Sequence, residues 1–138
     1  MTSTEILTPE HSTTRTFREH YRYAMARRIG QMIVLSGQTG HNPDMTISSD
    51  VREQANVAFD NIGDVLAAAE VTWDNVDVIR SYHVVPAGAD TIPEDSFNVV
   101  HDLLAARMPN HLPVWSAIGV AGLGATGMLI EIEAVAHS

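Results

Sequence analysis

A chain of 138 residues with eight Lys and Arg against seventeen Asp and Glu, a formal net charge of -9 and no cysteine fits one acidic domain, which buries about two-thirds of its unfolded surface. The missing cysteine excludes disulfides, thiolate metal sites and cysteine nucleophiles, and the charge opposes nucleic acid, whose binding rests on Lys and Arg neutralising phosphates. No apolar run is long enough to span a bilayer, and residues 1–5 have neither a basic nor an apolar segment, so the expectation is no membrane, no signal peptide and a cytoplasmic location.

In chain order, residues 1–14 are rich in Thr and Ser and read as a loosely ordered lead-in, followed by one domain over 15–138. Arg15, Arg18, Arg22, Arg27 and Arg28 read as the solvated face of an N-terminal strand. Residues 21–29 and 31–36 read as strands meeting at Gly30. The continuous run Met32, Ile33, Val34, Leu35 suggests a strand covered on both faces. Residues 37–44 read as loop, with Asn42-Pro43-Asp44 as the turn signal.

Asp50-Val51-Arg52-Glu53 has the capping-box pattern, and Val51, Ala55, Ala58, Phe59, Ile62, Val65, Leu66 and Ala69 follow at helical spacing, so the pattern predicts a helix of roughly five turns. Residues 76–85, β-branched and aromatic, predict a strand. Pro86-Ala87-Gly88-Ala89-Asp90 breaks it. Thr91-Ile92-Pro93-Glu94 opens a second helix with Phe97, Val100, Leu104 and Met108 as its stripe. Two more strands follow over 114–120 and 128–136. The order β-β-α-β-α-β-β, with two helices against one sheet, is an α+β layer fold.

The segment 122–127 spells G-x-G-x-x-G, but a strand pattern follows it where a dinucleotide site needs a helix. Its glycines read as a turn between two antiparallel strands. Seven histidines, at positions 11, 20, 41, 83, 101, 111 and 137, contain no H-x-H or H-E-x-x-H pair, and most read as exposed or loop residues. No metal and no cofactor is expected. Ser36 lacks a nucleophile elbow and reads as a serine bonding the local backbone or as a pocket-rim contact. Glu131 and Glu133 alternate with Ile130, Ile132 and Ala134, so both carboxylates share one face of a strand. There they are solvated surface charge or, beside Trp115 or Tyr23, a carboxylate with a raised pKa suited to acid–base work.

Ser36-Gly37-Gln38, the helix segment from Gln54 to Asn61, and Pro113-Val114-Trp115-Ser116-Ala117 followed by Ile130-Glu131-Ile132-Glu133 together resemble the Rid (YjgF/RidA-type) family. The resemblance spans residues 21–136. It implies a homotrimer of a chorismate-mutase-like fold whose sheets close into a barrel, with three clefts between subunits. In deaminating members, water adds to an imine carbon and ammonia leaves. The resemblance matches Tyr23, Ser36 and Glu131 to the family's tyrosine, serine and glutamate. His101 replaces its asparagine, Trp115 its arginine, and Ala117 a position often occupied by cysteine. Relatives end the long helix on glycine, where this chain has Glu70.

Arginine grips a carboxylate through a bidentate fork, whereas tryptophan offers one N–H and an apolar face. The expectation is therefore a small-molecule enzyme acting on C=N bonds of a neutral, cationic or aromatic substrate without the usual α-carboxylate, and a poor 2-aminoacrylate deaminase. Glu131, His101 and Tyr23 are the candidate catalytic residues, and Ser36, Trp115 and Ala117 the candidate substrate contacts. Two alternatives stay open: a non-catalytic ligand-binding or chaperone-like trimer with Trp115 plugging the cleft, and a pathway-specific enzyme of tautomerisation or dehydration. Ribonuclease activity is disfavoured by charge.

Overall fold

The computed structural model describes residues 4–7 and 19–138. Its strands are β1 (Thr4–Leu7), β2 (Ala26–Ile29), β3 (Met32–Leu35), β4 (Gln38–Thr39), β5 (Val76–Val84), β6 (Val114–Val120) and β7 (Ile130–His137); its helices are α1 (Val51–Ala68) and α2 (Glu94–Arg107), with a 3-10 turn at Trp73–Asn75. The strands form one sheet in the order β1-β2-β3-β7-β5-β6, and β4 also pairs with β7. Among the described residues β5 and β6 are the only parallel pair, and the other pairings are antiparallel.

The expected α+β layer is present, with two additions. The lead-in is not uniformly loose, because Thr4–Leu7 pairs with β2; Arg15, Arg18 and His11 lie outside the described residues. Gln38–Thr39, read as loop, pairs with Glu131 and Ile132. The strands flanking the glycine loop, β6 and β7, are antiparallel to each other but not neighbours, since β5 lies between them. That loop is therefore a crossover rather than a hairpin turn.

The apolar stripe of α1 is buried against Ile33, Leu35, Ile79, Ile130, Ile132 and Ala134 of the sheet. Asp50 caps it through Oδ1, which accepts from the Arg52 amide at 3.0 Å. The reciprocal half of the expected box is carried by Ser48, whose hydroxyl donates to Glu53 and accepts from the Asp50 amide. At the other end the Glu70 and Val71 amides donate to the Ala67 and Leu66 carbonyls, 3.0 Å each. This is a Schellman closure, with Glu70 at φ 60° where glycine is favoured.

In α2 the buried residues are Ser96, Val99, Val100 and Leu104, with Met108 just beyond. Three of the four expected stripe residues, Val100, Leu104 and Met108, are buried, whereas Phe97 is partly exposed and stacks on Trp115 with ring centroids 4.9 Å apart. Among the described residues no side chain caps α2. The β3 run is covered on one face only, with Ile33 and Leu35 buried and Met32 and Val34 47% and 37% exposed. Arg28 is not simply solvated: it pairs with Glu5 and donates to the Ala69 carbonyl at 2.6 Å, a cation at the C-terminus of α1.

Candidate active site

Alternation along β7 turns Ile130, Ile132, Ala134 and Ala136 into the helix-covered core and Glu131 and Glu133 to the opposite face. The two acids then diverge. Tyr82, on β5 beside them, donates its hydroxyl to Glu133, and that bond raises the tyrosine pKa. Glu131 instead lines a cavity of about 250 Å³ with Tyr21, Tyr23, Thr39, His41 and Met128.

Several residues shape this cavity without entering it. Gln54, fully buried on α1, donates through Nε2 to the Ser48 and Gly127 carbonyls, and its Oε1 accepts from the Leu129 amide. It thereby fastens the crossover loop that carries Gly124, Ala125 and Met128 into the cavity wall. Asn61, two turns further along α1, donates to the Thr39 carbonyl at 3.0 Å. The helix segment singled out by resemblance is the scaffold of the cavity. Gly40 lies so close to α1 that a Cβ there would come within 2.6 Å of Gln54 Cα.

Burial dominates the electrostatics. It raises the Glu131 pKa above the usual carboxylate value, with the Glu133 charge adding to the rise. It raises Tyr23, with Glu131 as the next cause, and lowers His41. Each shift favours the neutral form, because the cavity solvates ions poorly. A carboxyl with a raised pKa can take and return a proton near neutral pH.

Trp115 and His101 line a different hollow, of about 180 Å³, with Leu104, Met108 and Leu112. Trp115 Nε1 donates to Ser81 Oγ at 2.9 Å. Ser81 Oγ is 2.8 Å from His83 Nε2, and His83 Nδ1 is 2.7 Å from Ser96 Oγ on α2. Ser81 and His83 belong to the helix-covered face of β5, whereas Tyr82 and its neighbour Glu131 belong to the other. Trp115 and Ala117 therefore lie on the face of the sheet opposite Glu131, within one chain. His101 is exposed and pairs with Asp102 at 3.2 Å.

Of the expected residues, one chain thus unites Glu131 and Tyr23 in a cavity and sets Trp115 and His101 together elsewhere. Ser36 bonds the local backbone, its hydroxyl donating to the Ala24 carbonyl at 2.6 Å, next to Tyr23. Ala117 is half-buried on β6 beside Ser81. Thr39 and His41 are cavity residues the sequence reading did not single out. As expected, most of the described histidines are exposed or in loops; His41, in the loop after β4, is nonetheless only 7% exposed, and His83, on β5, is fully buried. Among the described residues no group of three or more His, Cys, Asp or Glu could hold a metal ion, and no helix is long and apolar enough to cross a membrane.

A single mixed sheet with two helices on one face, and a strand carboxylate in a cavity on the other, defines a class of small α+β proteins of the YjgF/Rid type. The sequence profile described as Endoribonuclease L-PSP matches residues 13–138, and the chain belongs to that family. It is 36% identical over 121 residues to the RutC family protein YjgH of Escherichia coli, covering 88% of this chain and 86% of that protein. It is 33% identical over 116 residues to the human 2-iminobutanoate/2-iminopropanoate deaminase, covering 83% and 78%. A solved Mycobacterium tuberculosis member of the YjgF/YER057c/UK114 family superposes with a TM-score of 0.77 at 26% identity over 99% of this chain and 100% of that one.

Proposed function

We propose that the protein is a trimeric hydrolase of imines that lack an α-carboxylate, with Glu131 moving the protons. The observation that carries this reading is the placement of Glu131: a desolvated carboxylate with a raised pKa in a cavity walled by Tyr23, Thr39 and His41. Among the described residues no Lys or Arg lines the cavity, and Trp115 stands where the family's arginine would hold a carboxylate. The similarity to an imine deaminase supports the C=N chemistry.

A protonated imine is a cation, and entering this cavity it restores the ionised form of Glu131 by pairing with it. Glu131 then accepts a proton from water as the water oxygen bonds to the imine carbon. Returning that proton to nitrogen makes an ammonium leaving group. The C–N bond breaks, a carbonyl forms, and ammonia leaves with the remaining proton. Tyr23, kept protonated, donates to the developing tetrahedral adduct.

The uncovered face of the sheet supports trimerisation. It exposes Met32, Val34 and Ile29, and the edge at β6 exposes Val114, 68% accessible. Apolar side chains gathered on one face call for a partner. In a closed trimer the Trp115 edge of one subunit would adjoin the Glu131 cavity of the next, uniting residues that one chain keeps on opposite faces.

The test is imine hydrolysis in the presence of an amine oxidase, which supplies imines without a carboxylate, alongside an amino-acid oxidase, which supplies imino acids. Faster release of ammonia from the first set, abolished by Glu131→Gln, is the expected result. Equal rates with and without the protein, or full activity in Glu131→Gln, would overturn the reading. Light scattering should give the mass of three chains.

A further inference from the structure

The segment after β4 closes as a three-residue hairpin loop. His41 bridges Ile47, the Asn42 amide donates to the Thr46 carbonyl at 2.8 Å, and the Met45 amide donates to the Asn42 carbonyl at 2.8 Å. Asp44 Oδ1 braces the tip by accepting from the Thr46 amide and hydroxyl. In such a loop the third residue is left-handed, and glycine ordinarily fills it. Here it is Met45, at φ 69°, with its side chain in the wall of the Glu131 cavity. A left-handed residue with a Cβ is strained, and such strain gathers at ligand sites.

Met128 enters the same wall from the crossover loop. Gln54 fastens that loop through the Gly127 carbonyl and the Leu129 amide, on either side of Met128. The two loops abut, since a Cβ built on Gly127 would lie 3.4 Å from Ile47 Cγ2. Neither Met45 nor Met128 belongs to the hydrophobic core. Pro43, Asp44 and Thr46 beside Met45 are exposed, so packing within the hairpin does not call for a long apolar side chain there. The two thioethers, with Ala125 and the rings of Tyr21 and Tyr23, give the cavity an apolar, aromatic part beside its carboxylate.

We propose that Met45 and Met128 form a specificity subsite for an aryl group on the imine carbon, so that the substrate class is an aryl-bearing imine. This rests on the imine-hydrolase reading of the cavity and names the substituent which that reading leaves open. Thioether sulfur packs favourably against aromatic rings, and the unbranched methionine chain adapts to a flat one. An apolar cavity of roughly 150 Å³ takes a benzene ring. The cavity here, of about 250 Å³, therefore holds one ring together with a C=N group next to Glu131.

Benzamidine and acetamidine are stable amidinium cations that imitate a protonated imine and differ in carrying a phenyl or a methyl group. Their dissociation constants would be measured by calorimetry near neutral pH for the full-length wild-type protein, Met45→Gly, Met45→Asn and Met128→Ala. Wild type should bind benzamidine at least about tenfold more tightly than acetamidine, from the apolar area the ring buries. Met45→Gly should lose roughly 3–10-fold in benzamidine affinity, with acetamidine affinity changed by less than about twofold. Its melting temperature should stay level or rise, because glycine takes the left-handed position without strain; a methionine kept only to hold the hairpin predicts a fall. Met45→Asn, which also tolerates that backbone, should behave alike and remains a test should the glycine variant not fold. Met128→Ala should weaken benzamidine in the same direction. Equal binding of the two probes by wild type, unchanged benzamidine affinity in the Met45 variants, an equal loss for acetamidine, or no binding of either probe at tens of millimolar would each overturn the proposal. Benzamidine selectivity that depends on Met45, without Glu131-dependent imine turnover, would remove the hydrolase reading and leave the aryl subsite. Glu131-dependent turnover without that selectivity would do the reverse.

Discussion

Glu131 occupies the space that a side chain at Gly37 would need. A Cβ built on Gly37 would lie 2.7 Å from Glu131 Cδ and 2.9 Å from both Cγ and Oε1. The backbone between β3 and β4 is bare at this point so that the carboxylate can lie across it. Gly37→Ala should therefore displace Glu131 with little damage to the core. The expected outcome is a folded protein, destabilised by about 1–3 kcal/mol as overpacking usually costs, with imine turnover reduced toward that of Glu131→Gln. A carbon-detected NMR titration of the Glu131 carboxyl should show its raised pKa moving back toward the ordinary carboxylate value as the group is driven toward solvent. An unchanged Glu131 titration in a folded Gly37→Ala protein would count against the close contact.

Some of this arrangement is legible in the sequence. The α1 stripe and the Asp50 cap are local signals, and the helix follows them. Alternation with isoleucine puts Glu131 and Glu133 together on one face of β7, and the choice of Glu131 between them comes from the family resemblance, not from the pattern. Where the signal is nonlocal it fails. The strand Thr4–Leu7 exists by pairing with β2, and Gln38–Thr39 by pairing with β7, so neither has a periodicity of its own. The α2 stripe holds at Val100, Leu104 and Met108 and departs at Phe97, which is partly exposed and stacks on Trp115, a contact that helical spacing does not contain. Thr39 and His41 sit in a polar segment that resembles any turn. That Trp115 and Glu131 fall on opposite faces depends on strand order, which alternation on a single strand does not contain.

Glu70 identifies a strained helix exit. It takes φ 60° in the Schellman closure of α1, and the left-handed conformation costs a residue with a Cβ roughly 1–2 kcal/mol. Replacing it by glycine removes that cost while adding some freedom to the unfolded chain. Glu70→Gly should raise stability by about 0.5–1 kcal/mol and the melting temperature by roughly 2–5 °C. Glu70→Ala, which keeps the Cβ, should not. Equal melting temperatures for the glycine and alanine variants would refute the strain argument.

His83 makes stability depend on acid. Burial lowers its pKa from 6.5 to about 4, and its bonds to Ser81 and Ser96 suit the neutral ring. Between these two values the unfolded chain binds the proton and the folded chain does not. Stability from this residue is therefore complete above pH ~6.5, falls as pH drops towards ~4, and levels off below. Glu131 contributes with the opposite sign, since its pKa is raised. The clean measurement is thus the stability difference between wild type and His83→Gln as a function of pH. It should shift against wild type by roughly 2–3 kcal/mol across that window. A difference independent of pH would mean that His83 is not the titrating group.

Trp115 is the residue at which the substrate class should be reversible. Its indole stacks on Phe97 and its N–H reaches Ser81. An arginine at this position can do both, since guanidinium stacks on aromatic faces and has donors to spare; Trp115→Arg should therefore fold and keep the mass of a trimer. If the Trp115 edge of one subunit adjoins the Glu131 cavity of its neighbour, the variant introduces the carboxylate fork that the wild type lacks. The wild type should hydrolyse imino acids poorly: a missing bidentate charged contact costs on the order of 2–5 kcal/mol, a factor of roughly 30 to several thousand in rate. Trp115→Arg should recover part of that loss, not all of it, because His101 still stands where deaminating relatives are expected to carry an amide. The gain should vanish in Trp115→Arg combined with Glu131→Gln. Ammonia release from imino acids generated by an amino-acid oxidase gives the readout. A well-folded Trp115→Arg trimer with neither affinity for pyruvate nor gained turnover would show that the two hollows do not meet across the subunit boundary, and the case for a non-catalytic ligand-binding trimer would then be the stronger one.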